Sequence, residues 1–253
     1  MKAIDLIRPI EEMAPLCEQE KWDNCGFSVG DPQAAVSKAL IALDCTEDVV
    51  DEAIECGADI IITHHPLIFG GVKKISPQNQ LGRIIYKAIQ HNIAIYAAHT
   101  NMDKAAGGVS CIMADKLQLQ EREVLTPDNF GVVGKLPRSM GTEEFVLMVK
   151  EVFGVENVRV SKPLGEKIER VAVCGGSGKS FIGNAMEKGA QVYVTGDISY
   201  HEFYAEEGFM LVDIGHYSSE YGIVDVFANI LCKNFPNFAV SISKRNNNPI
   251  YYY

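Results

Sequence analysis

Gly57-Ala58-Asp59-Ile60-Ile61-Ile62-Thr63-His64-His65-Pro66 is the stretch on which the fold turns. A short, branched, apolar run with a glycine before it and a proline after it reads as a strand buried on both faces of a parallel sheet. Open α/β sheets place ligands at the carboxyl edge of such strands, and His64 and His65 fall at that edge. Neutral imidazole is the commonest protein metal ligand, so the adjacent histidines read as a ligand pair. Successive side chains of an extended strand face opposite ways. For both rings to reach one site the chain must bend at the strand end, and Pro66 favours an extended or turn geometry at His65.

Outward from this stretch, residues 39–69 read as strand, helix, strand: Ala39–Leu43, a helix capped by Thr46 and Gly57, and Ile60–Ile62. The order returns from Arg170, with a strand at Val171–Val173, a helix over Ser180–Lys188, Gly189 as its cap and a strand at Gln191–Thr195. The segment from Gly57 to His65 aligns without a gap to that from Gly189 to Asp197. Each half then has an apolar strand ending in His-x-x-x-acid: His99 to Asp103 after Asn92–Tyr96, and His216 to Glu220 after Phe209–Val212. Two matching pairs in the same order point to an internal duplication, an α/β fold of two similar lobes related by a pseudo-twofold. Facing halves would bring strand-end histidines and carboxylates together, as a dinuclear metal site requires. Glu121 to Gly141, with Pro127, Gly131, Gly134 and Pro137, reads as a boundary or a crossing between lobes, followed by a helix that Thr142 caps. The expected division is 1–125 plus 205–253 for the first lobe and 126–204 for the second.

The 253 residues suffice to bury a core. A net charge of −10 without a Lys/Arg stretch argues against a dedicated nucleic-acid groove, though not against a nucleotide as a small substrate. Met1-Lys2-Ala3-Ile4-Asp5 lacks the features of a signal peptide, and no apolar run is long enough to span a bilayer. The seven cysteines are never spaced as CxxC and read as reduced thiols of a cytoplasmic protein.

The candidate ligands are His64, His65, Asp103, His216 and Glu220, a nitrogen-and-carboxylate set suited to Zn, Mn, Fe or Ni. Two ions roughly 3.5–4 Å apart would activate water and stabilise a leaving oxygen, with Asp103 or Glu220 as the bridge. On a helix, His216 and Glu220 share a face. His99 reads either as a group that orients a carboxylate ligand or as an interior histidine. His201 reads as an acid/base group or a substrate contact, and His91 as a solvated helix cap. Asp44, Asp59 and Asp213 read as structural or turn residues. Gly175-Gly176-Ser177-Gly178-Lys179-Ser180 ends like a phosphate-binding loop, but that motif needs glycine where Val173 stands.

Thr63-His64-His65-Pro66, His99 to Asp103, Gly196-Asp197-Ile198-Ser199-Tyr200-His201 and Gly215 to Glu220 together resemble the NIF-three-like proteins, the GTP cyclohydrolase I type 2 homologs. Trp22-Asp23-Asn24-Cys25-Gly26 and Ser243 to Pro249 resemble that family's terminal motifs. The likeness spans essentially the whole chain, in the minimal form without an inserted domain. It implies intertwined α/β lobes, a hexameric ring, and two divalent metal ions per chain facing an internal cavity. By motif, His64 and His65 would bind one ion each, Asp103 and His216 would complete the sites, and Glu220 would bridge. The resemblance suggests a metal-dependent hydrolase of a nucleotide-like or other small polar substrate, with Glu220 or His201 moving protons. A metal chaperone or buffer, and a ring-shaped interaction scaffold, are the alternatives.

Overall fold

The computed structural model describes residues 1–252. In chain order its elements are α1 (Ala3–Met13), β1 (Gly26–Val29), β2 (Lys38–Ala42), α2 (Glu47–Cys56), β3 (Ile60–Thr63), α3 (Gln80–Gln90), β4 (Ala94–Ala97) and α4 (Thr100–Lys104). There follow α5 (Val109–Lys116), β5 (Gln120–Val124), β6 (Val132–Met140), α6 (Thr142–Phe153), β7 (Arg159–Val160), β8 (Ile168–Ser177) and α7 (Ile182–Glu187). The chain ends with β9 (Val192–Gly196), β10 (Met210–Asp213), α8 (His216–Glu220), α9 (Ile223–Asn234) and β11 (Ala239–Ile242).

Two compact units result: Met1–Ala105 joined by the chain from Ile223 onward, and Ala106–Gly222. The sequence-based limits of 1–125 plus 205–253 and of 126–204 differ from this division at each junction, for a physical reason. Strands β5 and β10 hydrogen-bond into the second sheet and carry their flanking residues with them. Glu121–Gly141 accordingly holds most of an antiparallel β5–β6 pair inside the second unit rather than a crossing between lobes.

In the first unit, β3 lies in the middle of a five-stranded sheet of order β1-β4-β3-β2-β11, parallel except for β1. Helix α2 forms where its caps say it should. The Thr46 side chain accepts from the Val49 N–H, and Gly57 closes the helix in the left-handed region at φ 68°. One face of the sheet, with Leu40, Ile61 and Ile95, packs on Val49, Val50, Ala53, Ile84, Ile85 and Ala88. Each buried Val, Leu or Ile side chain among them contributes about 1.5–3 kcal/mol. Helices α1 and α9 pack together, α1 through its buried Leu6, Ile7 and Ile10.

The second unit has a six-stranded sheet of order β5-β6-β8-β9-β10-β7 with a parallel centre, β8-β9-β10. Val171, Val173, Val192, Val194, Met210 and Val212 face one core with Phe145 and Val149, while Ala172, Tyr193 and Leu211 face another with Ala185. This is the alternation of a sheet covered on both sides. The duplication is visible as register. Ala39 pairs with Ile60 and Ile60 with Ala94 in one sheet; Val171 pairs with Val192 and Val192 with Met210 in the other. Helix α6 starts at Thr142 as expected, but Gly141 occupies the cap position and the Thr142 hydroxyl bonds to the Leu164 backbone instead.

Candidate metal centre

Strand β3 ends at Thr63, and the backbone bends as two adjacent inward-reaching rings require. The Thr63 hydroxyl donates to the His65 carbonyl at 2.8 Å, and the His65 N–H to the Leu43 carbonyl at 3.0 Å. The His64 and His65 rings then lie 5.0 Å apart between centroids. His99, just past the end of the neighbouring strand β4, sets its ring 5.2 Å from His64 and 5.5 Å from His65. Ring nitrogens of all three histidines lie within 4.8 Å of one another. Asp103, one helical turn after His99 on α4, places Oδ1 3.5 Å from His64 Nε2.

The outer nitrogen of each ring is held by an acceptor. His64 Nδ1 lies 2.9 Å from the Ala98 carbonyl, His65 Nδ1 2.7 Å from Asp44 and His99 Nδ1 2.9 Å from Asp23. A carbonyl or carboxylate only accepts, so each Nδ1 carries the proton and each Nε2 presents its lone pair. Burial works against the Asp23 carboxylate, but bonds from His99, Thr100 and the Asn24 N–H outweigh it and hold its pKa well below the usual range. Cys25, whose thiol bonds to Asp23 and Asn101, is pushed up to about 12 by burial and by the Asp23 charge. It therefore stays a protonated thiol, and the donor set is nitrogen and oxygen.

In the second unit β9 ends at Gly196, just before Asp197, and β10 leads through Gly215 into α8. His216 Nδ1 lies 2.7 Å from Asp197, and its Nε2 lies 3.0 Å from Glu220 Oε2 one turn away. Buried Asp213 is structural, as expected, accepting from the Ile198 and Gly215 N–H groups and pairing with Arg159. Asp59 is structural too, anchoring Ser37 and Lys38. The glycine run after Val173 makes room for α8. A Cβ on Gly175 would sit 2.2 Å from Val109, and one on Gly176 would sit 2.2 Å from Glu220 Oε1 and 3.4 Å from His216 Cε1. Gly175, Gly176 and Ser177 belong to strand β8, so this run is packing and not a phosphate loop.

Among the expected site residues, the structure brings His64, His65, His99 and Asp103 together in the first unit, and His216 with Glu220 in the second. Imidazole lone pairs and carboxylate oxygens, with the outer nitrogens held, fit a divalent ion of the zinc, manganese, iron or nickel kind. His201 lies exposed on a 3₁₀ turn, its ring edge-on to Tyr200 at 5.3 Å. His91 is the exposed C-cap of α3. Three carboxylates that orient the rings stand outside the expected site: Asp44, which the sequence reads as a structural or turn residue, Asp23 and Asp197. Signals existed for each. Asp44 follows the end of β2 at the same sheet edge, Asp23 is the acid of the Trp22-Asp23-Asn24 motif, and Asp197 aligns with His65.

A model of the family Duf34/NIF3 (NGG1p interacting factor 3) matches residues 1–249. The chain belongs to this family. Among its NIF3 relatives, a Clostridium perfringens protein named GTP cyclohydrolase 1 type 2 homolog is 38% identical over 232 residues, covering 88% of each chain. One of the same name from Clostridium acetobutylicum is 36% identical over 262 residues, covering 98% of each. The crystal structure of a Bacillus cereus protein related to NIF3 superposes with a TM-score of 0.92 at 28% identity, over 100% of this chain and 99% of that one. The two-lobe α/β architecture of this NIF3 protein is thus shared with its solved relative. No helix among the described residues is long and apolar enough to cross a membrane.

Proposed function

We propose that the protein holds a dinuclear divalent-metal centre and is a cytoplasmic, metal-dependent hydrolase of a nucleotide-like or other small polar molecule, working as a hexameric ring. The observation that carries the metal reading is the anchoring of these rings: the Nδ1 atoms of His64, His65, His99 and His216 each meet a fixed acceptor, which sets Nε2 as the ligand atom of each. The family's motifs support the division of labour. By those motifs His64 and His65 would hold one ion each, Asp103 and His216 would complete the two sites, and Glu220 would be shared between them. Bound ions would lower the pKa of water towards neutrality and stabilise a leaving oxygen. Asp44, Asp23 and Asp197 keep the imidazoles in one tautomer and one orientation. Glu220, buried with Oε2 3.0 Å from His216 Nε2, and the exposed His201 are the groups assigned to proton transfer.

The test is metal content by mass spectrometry on protein purified without oxygen or chelator, beside Glu220→Gln. About two ions per chain, falling sharply in the variant, support the centre and justify a hydrolysis screen. Zero or one ion, unchanged in the variant and not restored by added metal, would sink it. Two exchangeable ions with no turnover on any nucleotide would favour the metal-carrier alternative.

A further inference from the structure

Trp22 and Phe69 are left 61% and 55% exposed, yet both lie against one side chain. The Trp22 ring lies 6.0 Å from His99 at 74° between planes, and the Phe69 ring lies 5.7 Å from it at 87°. A large aromatic side chain held in water forgoes about 1.5–3 kcal/mol of burial, and two over one sheltered histidine mark a surface shaped for something else. Their positions are held by polar bonds. Asn24 Nδ2 donates to the Ile68 carbonyl at 2.7 Å, joining the Phe69 loop to the Trp22 segment. Asp23 accepts from the Thr100 N–H at 3.0 Å and pairs with His99. Both steep interplanar angles mean that the three rings border a corner rather than forming a stack.

The charges flanking the two aromatics in the sequence separate the possible occupants. Lys21 precedes Trp22, and Lys73 and Lys74 follow Phe69, all exposed in a chain of net charge −10. Lysine is depleted at the cores of protein–protein interfaces but suits a small anion. Lys73 is at most about 14 Å of extended chain from Phe69.

We propose that Trp22 and Phe69 form an aromatic clamp beside His99 for a planar heteroaromatic ring that carries an anionic group, a nucleotide-like ligand. The ring stacks on the exposed aromatic faces and the anion is met by the lysines of the two flanking segments. This rests on the hydrolase reading and deepens it by naming the residues that would hold the ring of its substrate, but ring binding is measurable with or without metal.

Trp22 is the sole tryptophan of the chain, so its fluorescence reports the clamp directly. AMP, GMP, CMP and UMP are titrated into metal-free and metal-loaded protein, with ribose 5-phosphate as the ringless control and adenosine as the uncharged one. At least one nucleotide is expected to quench saturably. Ribose 5-phosphate should not quench, and adenosine should bind more weakly than AMP. Phe69→Ala, which leaves the reporter in place, should weaken binding about fivefold or more, the lower end of what losing one base–aromatic stack costs; Phe69→Tyr should restore it. No saturable quench with any nucleotide, in protein that binds metal normally, overturns the clamp and leaves the metal reading intact. Quenching by protein that takes up no metal when metal is added supports the clamp and removes the metal reading. A change of oligomeric mass in Phe69→Ala by light scattering, with nucleotide binding unaltered, overturns the clamp in favour of a contact between copies of the chain.

Discussion

At the scale of single residues, the candidate site is a matter of which nitrogen faces inward. His65 and His216 owe their orientation to Asp44 and Asp197, whose side chains are 37% and 46% exposed. Removing either carboxylate therefore costs the fold little but frees a ring. Asp44→Ala and Asp197→Ala are each expected to lower metal affinity roughly 10–100-fold with a melting temperature close to that of the parent, checked by competition against a fluorescent chelator and by thermal unfolding of the metal-free protein. The histidine pair at the end of β3 was legible because its signal is local, an apolar run with two histidines at its edge. The carboxylates behind the rings were not. Asp44 and Asp23 stand 21 and 76 positions from the rings they hold, and one sequence does not show which distant acid folds back onto which histidine.

At the scale of elements, helix caps and strand repeats carried most of the information, since Thr46, Gly57 and Gly189 act within a few residues of their own position. The glycines after Val173 were ambiguous because a phosphate cradle and a close helix approach both select glycine. The packing of α8 decides between them. Gly176→Ala puts a methyl on Glu220 at a position with φ +61°, so a loss of about 1–3 kcal/mol is expected, read by denaturant unfolding, together with reduced metal content. A second junction is pH-sensitive. Glu52 accepts from the Ser243 hydroxyl and from the Lys244 and Arg245 N–H groups just after β11. Burial opposes the Glu52 charge, but these bonds outweigh it and bring the pKa below its ordinary 4.5. A depressed carboxyl stabilises the fold fully above that ordinary value and loses its contribution as pH falls through the lower, folded one. Glu52→Gln should therefore cost roughly 1.5 kcal/mol near neutrality, and the gap between parent and variant in thermal unfolding should close as pH drops below 4.5.

At the scale of the whole molecule, a metal held as proposed would be linked to the fold. An ion that binds only the folded chain at a hundred times its Kd adds about 2.7 kcal/mol, or roughly 5–10 °C for a protein of this size. Stripping with a chelator should lower the melting temperature by that much and re-addition should restore it; no change on either step would contradict a site built into the native state. Ring assembly, implied by the family's motifs alone, predicts a hexameric mass by light scattering. The first sheet has a consequence for how the protein is made. Its edge strand β11 pairs with β2, and the Asn246 side chain accepts from the Leu43 N–H across 203 positions. On a ribosome adding about 5–20 residues per second, β2 waits roughly 10–40 s for its partner. The second unit, contiguous in sequence, can close its own sheet during that interval. The histidine-bearing sheet begins to emerge first and is completed last, with an open parallel edge at β2 in the meantime. Truncated nascent chains lacking the last strand should thus bind chaperones through the first unit while the second already resists protease.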